Sequence, residues 1–217
     1  MKFAKVIAFV SLVCLMAGAA EKTAFVNMEK IFEEYYKTVN ANILFEQQKQ
    51  NFDEHLELIR DEVDAVAKEV QKYEAEARND LAGEATREEA KRKFQVRLEH
   101  FRNKRQELER FRQEGLQNLQ RERGKAEDEL VADLLNVIRK YAADQKIDML
   151  YEVSGRTLNR VPPLLVYPTD KEITDAIIEL VNKGHEADLK EAKERYETIR
   201  SRRKAAEADK PATPDEP

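Results

Sequence analysis

The sequence predicts a mostly α protein with a small β element, in which a long antiparallel coiled-coil helical hairpin is inserted in a small α/β oligomerisation body. Charged residues make up 37% of the 217 residues, and only 6 Gly and 6 Pro are present. Such a composition favours long solvated helices over one large core. A heptad pattern occupies the middle of the chain, and short strand candidates flank it on both sides.

Residues 1–20 are predicted to form a cleavable signal peptide. Lys2 and Lys5 precede an apolar run, and a small-residue cleavage site follows near Ala19-Ala20-Glu21. The run is shorter than the roughly 20 apolar residues that a membrane span needs. Cleavage removes Cys14, the one cysteine of the sequence, so disulfides and thiol catalysis are excluded from the mature chain.

Cleavage also makes the chain more acidic. Lys+Arg falls from 38 to 36 while Asp+Glu stays at 43, so the formal net charge moves from −5 to −7. Nucleic-acid-binding domains are usually basic, so we expect no nucleic-acid partner.

The mature chain is predicted to open with a strand over residues 23–28 and a short helix over residues 28–36. A first long helix then follows from about residue 38 to 78, about 60 Å at 1.5 Å per residue. Its apolar residues recur at alternating steps of three and four, which is a heptad a/d stripe with one gap at Lys49. They are Phe45, Phe52, Leu56, Ile59, Val63, Val66, Val70, Tyr73 and Ala77. Such a helix needs a partner to cover its stripe.

The partner is predicted to follow a short tip near residues 79–86, and to run to about residue 146. Thr86 and Glu89 have the spacing of a capping box at its start. A short loop between two long helices implies an antiparallel hairpin, here residues 38–146. The stripe of this second arm comprises Phe94, Leu98, Phe101, Leu108, Leu119, Ala126 and Leu130.

The second arm is the less regular one. Arg105, Arg112, Gly115 and Glu122 occupy positions where its stripe would be apolar. Because glycine weakens a helix interior, Gly115 and Gly124 are candidate hinges. The alternative is that glycine only relieves crowding between the arms.

The two arms carry opposite charge. Residues 39–78 hold five Lys/Arg and ten Asp/Glu, whereas residues 87–125 hold thirteen Lys/Arg and seven Asp/Glu. Opposite signs favour this pairing and its register more than they add stability, because exposed ion pairs contribute only about 0–1 kcal/mol each.

After residue 146 the pattern changes from helical to mixed. Strands are predicted over residues 147–153 and 161–167, joined by a turn over residues 154–160. Thr169-Asp170-Lys171-Glu172 has capping-box spacing and is predicted to open a helix that Lys183-Gly184 ends. Residues 184–206 are predicted to form an extra amphipathic helix, and residues 207–217 a disordered tail.

The predicted body therefore consists of residues 21–37 and 147–183. So small a core is marginal alone, and oligomerisation is the expected remedy. The body residues predicted to serve oligomerisation are Phe25, Met28, Ile31, Phe32, Leu150, Val153, Leu165, Ile173 and Ile177.

Four stretches of the predicted mature chain have a familiar sequence and order. They are FVNMEKIFEEY at its start, ERGK at residues 122–125, QKIDMLYEVSG at residues 145–155 and VYPTDKEITDAIIELVNK at residues 166–183. In sequence and in order they resemble the Skp (OmpH-like) family of periplasmic chaperones for outer-membrane proteins, and the resemblance covers roughly residues 21–183.

The resemblance implies a periplasmic homotrimer in which three hairpins, called tentacles, enclose unfolded outer-membrane proteins without ATP or any other cofactor. The sequence agrees, since it contains neither a Walker loop nor a dinucleotide fingerprint. Strongly basic tentacles attract anionic lipid in the family, whereas this mature chain is acidic. Contact with lipopolysaccharide or membrane lipid is therefore not transferred to it.

Client contact is expected from Arg105, Phe111, Arg112 and Tyr141 on the second arm. Phe111 lies off the predicted stripe and is therefore favoured over the stripe aromatics. The basic charge of this arm has two readings, client attraction or simple complementarity to the acidic arm.

No catalytic or metal site is predicted. His55, His100 and His185 are far apart in sequence and lack metal-ligand spacing. The competing function is a structural coiled-coil envelope protein, or an assembly subunit with a fixed partner. Strands at both ends of the hairpin argue against a plain spacer.

Overall fold

The computed structural model describes residues 21–208 of the chain. The predicted signal peptide and residues 209–217 of the predicted tail lie outside the described residues. The elements are β1 (Thr23–Val26), α1 (Met28–Glu34), α2 (Tyr36–Ala77), α3 (Glu84–Asp144), β2 (Met149–Glu152), α4 (Thr174–Asn182) and α5 (Glu186–Ala208). The mostly helical class with a small β element is confirmed.

The described residues form two compact units. The first, which we name the body, comprises residues 21–38 and 130–190. The second, the hairpin unit, comprises residues 39–129 and 191–208. The last turns of α3 thus belong to the body, and most of α5 belongs to the hairpin unit.

The sheet of the body has two parallel strands. β1 pairs with β2 in the register Thr23↔Met149 to Val26↔Glu152. On the other side of β1, the amide of Ile173 donates a hydrogen bond to the carbonyl of Phe25 at 2.8 Å. The strand β1 therefore lies between β2 and residues 172–173, and it links segments that are more than 120 residues away from it in sequence.

The core of the body is fully closed at its centre. Ile31 from α1, Leu134 from α3 and Ile177 from α4 have no exposed surface. Burying an aliphatic side chain of this size contributes about 1.5–3 kcal/mol. The helices α1 and α4 pack against each other, and the end of α3 belongs to the same compact unit.

The predicted strand over residues 161–167 is wrong. Pro162 and Pro163 have no N–H to donate to a sheet. The chain instead closes a turn, in which the amide of Thr157 donates to the carbonyl of Val161 at 2.9 Å and Arg160 has a φ of 62°. The segment that follows is irregular, and it leaves Leu165 and Val166 exposed.

The predicted capping box at Thr169 is also wrong. Residues Thr169–Lys171 form one turn of 3₁₀ helix, and α4 begins at Thr174. Glu172 is extended and bridges to Phe25 of β1, and the amide of Ile173 is bonded to the same strand, so the α-helix starts only after them. The predicted stop is confirmed, because α4 ends at Asn182 and Gly184 has a φ of +83°.

The two long helices α2 and α3 form the predicted hairpin. Their tip is shorter than expected, because the amide of Arg87 already donates to the carbonyl of Gly83 at 3.1 Å. Thr86 consequently lies inside the first turn of α3, and its prediction as the N-cap is wrong.

Candidate functional site

The facing stripes of the two arms cover each other along the hairpin unit. Leu56, Val63 and Val66 of α2 are buried, and every other predicted stripe residue of α2 is at least half-buried. On α3, Ala90 is buried, whereas the predicted stripe residues within the hairpin unit are only half-buried. The second arm therefore carries the looser half of the interface, as its irregular pattern predicts.

Ion pairs between the arms fix their register. Arg97 on α3 binds Glu69 on α2 at 2.8 Å, and Lys104 binds Glu62 at the same distance. One step of seven residues along α2 thus matches one step of seven back along α3, which is the heptad of an antiparallel pair. In both pairs the first arm supplies the carboxylate and the second the cation, as the charge counts predicted.

These bridges shift the titration of their members. The hydrogen bond from Lys104 and its positive charge lower the pKa of Glu62. Hydrogen bonds to Glu62 and Glu107 raise the pKa of Lys104. Because the groups are at the surface, such pairs contribute little stability and mainly select the partner.

Phe111 packs between the arms. Its ring stacks on Phe52 of α2 with centroids 5.5 Å apart and 16° between the planes. The prediction that it lies off the interface is therefore wrong. Continuing the heptad from Leu108 predicts Arg112 and Gly115 at the interface and leaves Phe111 outside it. The second arm packs more loosely, and Phe111, next to Arg112, turns inward instead.

Gly115 lies directly under the ring of Phe52. A Cβ at this position would collide with the ring of Phe52, whereas a Cβ at Gly124 would meet nothing within 4 Å. The crowding explanation therefore fits Gly115, and only Gly124 keeps the open surroundings of a candidate hinge. Both residues lie within the continuous helix α3.

The other predicted client residues do not form one cluster. Arg105 and Arg112 are exposed on α3, where Arg105 lies over the ring of Phe101 at 5.8 Å and Arg112 binds Glu109 at 3.0 Å. Tyr141 is half-buried in the body, beside a shallow groove of about 260 Å³ at the start of β1.

The hairpin unit exposes apolar side chains that the sequence analysis did not single out. Leu58 and Val96 are the most exposed along the arms, and Leu81 is almost fully exposed at the tip. Their sequence positions could have identified them as exposed, because they are apolar yet lie outside the a/d stripe. Together with Leu44 and Leu116, they are dispersed among charged residues.

A groove runs between the hairpin and the last helix, within the hairpin unit. It has a volume of about 690 Å³ and is lined by residues of α2, α3 and α5. Phe45, Phe52, Leu116 and Leu119 supply apolar surface to it from the hairpin. Arg203 of α5 binds Glu46 of α2 at 2.6 Å beside it.

The residues predicted to serve oligomerisation divide into three groups. Phe25, Ile31, Val153 and Ile177 are buried in the core of the body. A second group is half-buried and comprises Met28, Phe32, Leu150 and Ile173. Leu165 is 75% exposed, its chain neighbour Val166 is 89% exposed, and Leu158 is fully exposed.

The outer edge of the sheet is the second exposed feature of the body. Within the described residues, β2 pairs with β1 alone, and Met149 and Tyr151 are partly exposed on it. An unpaired edge presents free N–H and C=O groups to a partner strand.

Residues 21–208 contain neither a helix suited to cross a membrane nor a side-chain cluster suited to bind a metal ion. No helix there combines the length and apolar character that crossing a membrane requires. The same residues contain no group of three or more His, Cys, Asp or Glu side chains placed to hold a metal ion.

Comparison with known proteins agrees with this architecture. The family described as Outer membrane protein (OmpH-like) matches residues 22–181, which covers β1, the whole hairpin, β2 and most of α4. No curated protein matches the chain. With the match extending over most of its length, the chain belongs to the OmpH-like family, whose members are periplasmic chaperones that bind outer-membrane proteins.

Proposed function

We propose that the protein is an ATP-independent holdase, which encloses unfolded outer-membrane proteins between its helical arms in the periplasm. The family match over residues 22–181 carries this proposal. The surface of the hairpin unit supports it, because single apolar side chains alternate there with charges of both signs. Many weak contacts of this kind hold an unfolded chain without selecting a sequence, and each of them releases easily.

The predicted export signal fits the same proposal. Residues 1–20 have the charge, apolar run and cleavage site of a signal peptide, with cleavage near Ala19-Ala20-Glu21. Export brings the mature chain to the compartment that outer-membrane proteins cross.

Client contact is assigned to Arg105 and Arg112, with the exposed leucines and valines of the arms beside them. Their guanidinium groups are exposed, so they can meet the carboxylates of a client. Phe111 adds apolar surface where it remains half-exposed beside Phe52. Tyr141 belongs to the body and is proposed to contact client from there.

The assembly is proposed to be a homotrimer formed through the body. The unpaired edge of β2 supports it, as do the exposed side chains of Leu158, Leu165 and Val166. Exposed apolar side chains and an open sheet edge are both costly in a monomer, and pairing with another copy removes such features from water.

Native mass spectrometry of the mature chain tests function and assembly together. The chain is measured alone and after mixing with an outer-membrane barrel protein diluted from urea. We expect a trimer that gains one client chain and keeps it soluble without ATP. A fixed-partner coiled-coil subunit would ignore the client, and that result would reject the holdase proposal.

Two matched variants sharpen the test. Leu165→Glu places charge at an exposed apolar position of the body, and we expect it to lower the trimer fraction. Leu58→Glu places the same charge on the arm, and we expect an intact trimer with weaker client binding. Equal effects of the two variants on assembly would contradict the assignment of the body as the oligomerisation surface.

A further inference from the structure

The helix α5 is an addition to the part of the chain that matches the family. The match ends at residue 181, whereas α5 spans Glu186–Ala208. From residue 191 onward it belongs to the hairpin unit, where Tyr196, Arg200 and Arg203 line the groove against α2 and α3. The helix therefore lies on a surface of the hairpin that the rest of the fold leaves open.

The contacts of α5 with this surface are few and shallow. Ala192 is its one buried residue in the hairpin unit among those whose side chains are described, and Tyr196 and Ile199 are only half-buried. Its other residues are mostly charged. A stripe of this size buries little apolar area, so it holds the helix only weakly.

An ion pair fastens the far part of α5. The guanidinium of Arg203 meets the carboxylate of Glu46 at 2.6 Å, and the two side chains are 38% and 19% exposed. Partial burial and the charge-assisted hydrogen bond make this pair stronger than the exposed pairs along the arms. Because Arg203 belongs to α5, a substitution there can loosen this helix without changing any residue of the hairpin.

The surface under α5 is not filled by it. The groove of about 690 Å³ lies in the size range of binding sites, and Leu116 at its edge remains 52% exposed. From the hairpin, Glu46 and Asp53 balance Lys49 and Arg123, so this face combines apolar side chains with charges that sum to zero. An occupant with apolar side chains and one cation, placed to meet Glu46, satisfies it.

We infer that α5 is a displaceable cover over a client-binding face, formed by Phe45, Phe52, Leu116 and Leu119 with Glu46 at its edge. The occupant that replaces α5 is a segment of unfolded polypeptide with aromatic and aliphatic side chains at helical spacing, followed by a Lys or Arg. The sequence of α5 itself is the template for this chemistry. The inference rests on the proposed holdase function, and it makes α5 an internal competitor of the client for this face.

The two members of the ion pair give opposite expectations, which is the basis of the test. The probes are a fluorescent peptide with the sequence of residues 189–205 and a urea-diluted outer-membrane barrel protein. Arg203→Glu in the full chain weakens the cover but leaves the face intact. We expect it to bind both probes about three- to tenfold more tightly than the native protein, a range that losing a half-buried ion pair gives.

Glu46→Arg removes the carboxylate that binds Arg203, both for α5 and for the peptide probe. It should not bind the native peptide more tightly, whereas a peptide carrying Arg203→Glu should recover the lost affinity. Arg195→Glu is the matched control, because it makes the same charge change on an exposed position of α5 away from the groove. It should leave both affinities at the native value.

Hydrogen exchange of α5 reports whether the cover has loosened, and circular dichroism reports whether each variant has folded. One outcome would overturn the proposed cover and leave the holdase function standing. In it, exchange of α5 rises in Arg203→Glu and the native protein holds the barrel protein, but neither probe binds more tightly to the variant. If neither the native protein nor any variant holds the barrel protein, the proposed function fails whatever the peptide does.

Discussion

The body and the hairpin unit are stabilised in different ways. In the body, Ile31, Leu134 and Ile177 lose all contact with water, and directional hydrogen bonds link distant segments. In the hairpin unit the apolar stripe stays partly exposed, and much of its polar pairing is at the surface. One region thus depends on a few irreplaceable contacts, and the other on many repeated weak ones. This difference fits the proposed holdase, which would keep its assembly through the body while its arms adapt to many clients.

Ile177→Ala should show the largest effect of this difference. It removes a fully buried side chain from the body, so we expect a loss of about 2–5 kcal/mol in the free energy of unfolding. Leu180→Ala on the same helix is the control, because Leu180 is exposed. Urea denaturation at one fixed protein concentration measures both. Similar losses in the two variants would show that the body is not closed around Ile177.

Asn182→Ala should have the next largest effect, through hydrogen bonds. Its side chain accepts from the amide of Tyr36 at 2.8 Å and donates to the carbonyl of Glu34 at 3.0 Å, at the break between α1 and α2. Asn182 is 5% exposed, so its loss leaves both backbone groups poorly satisfied. We expect a cost of about 1–3 kcal/mol. The exposed Asn103→Ala should cost far less, and equal urea midpoints would contradict this role.

The two glycines of α3 should respond in opposite directions. Gly124→Ala adds a methyl group in open space and improves helix propensity, so we expect a gain of about 1 kcal/mol. Gly115→Ala gains the same propensity but must displace the ring of Phe52, which Phe111 also contacts. We expect it to lose that gain and to fall below the native thermal midpoint. A gain in both variants would mean that the ring moves aside freely.

The hairpin was predictable from the sequence because its order is periodic. A heptad stripe and opposite charges specify a partner helix and its register, and Glu62–Lys104 and Glu69–Arg97 follow from them. Phe111 was placed wrongly because the apolar repeat of the second arm is interrupted here, so it does not show whether Phe111 or the neighbouring Arg112 faces Phe52. Periodicity alone does not decide between such neighbours.

The body was predictable only in outline, because its contacts join residues far apart in sequence. Residues 161–167 have the apolar character of a strand, but the free edge beside β1 is taken by Glu172 and Ile173. The side chain of Asn182 closes the α1–α2 break from 146 residues away. The seating of α5 on the hairpin rests on Arg203 and Glu46, a pair that no local pattern in the sequence indicates.

The ion pair between Lys104 and Glu62 should give the smallest effect, visible as a pH dependence. The folded pKa of Glu62 lies below its ordinary value because Lys104 binds the carboxylate. The pair therefore stabilises the fold above the ordinary carboxyl pKa of about 4.3, and this contribution is lost as the pH falls through the lower folded pKa. Lys104→Met should lose less thermal stability than the native protein between about pH 6 and pH 3, whereas the exposed Lys125→Met should follow the native curve. Carbon NMR of Glu62 measures the cause directly. A pKa of Glu62 that is the same in the native protein and in Lys104→Met would show that the arms are not held by this bridge in solution.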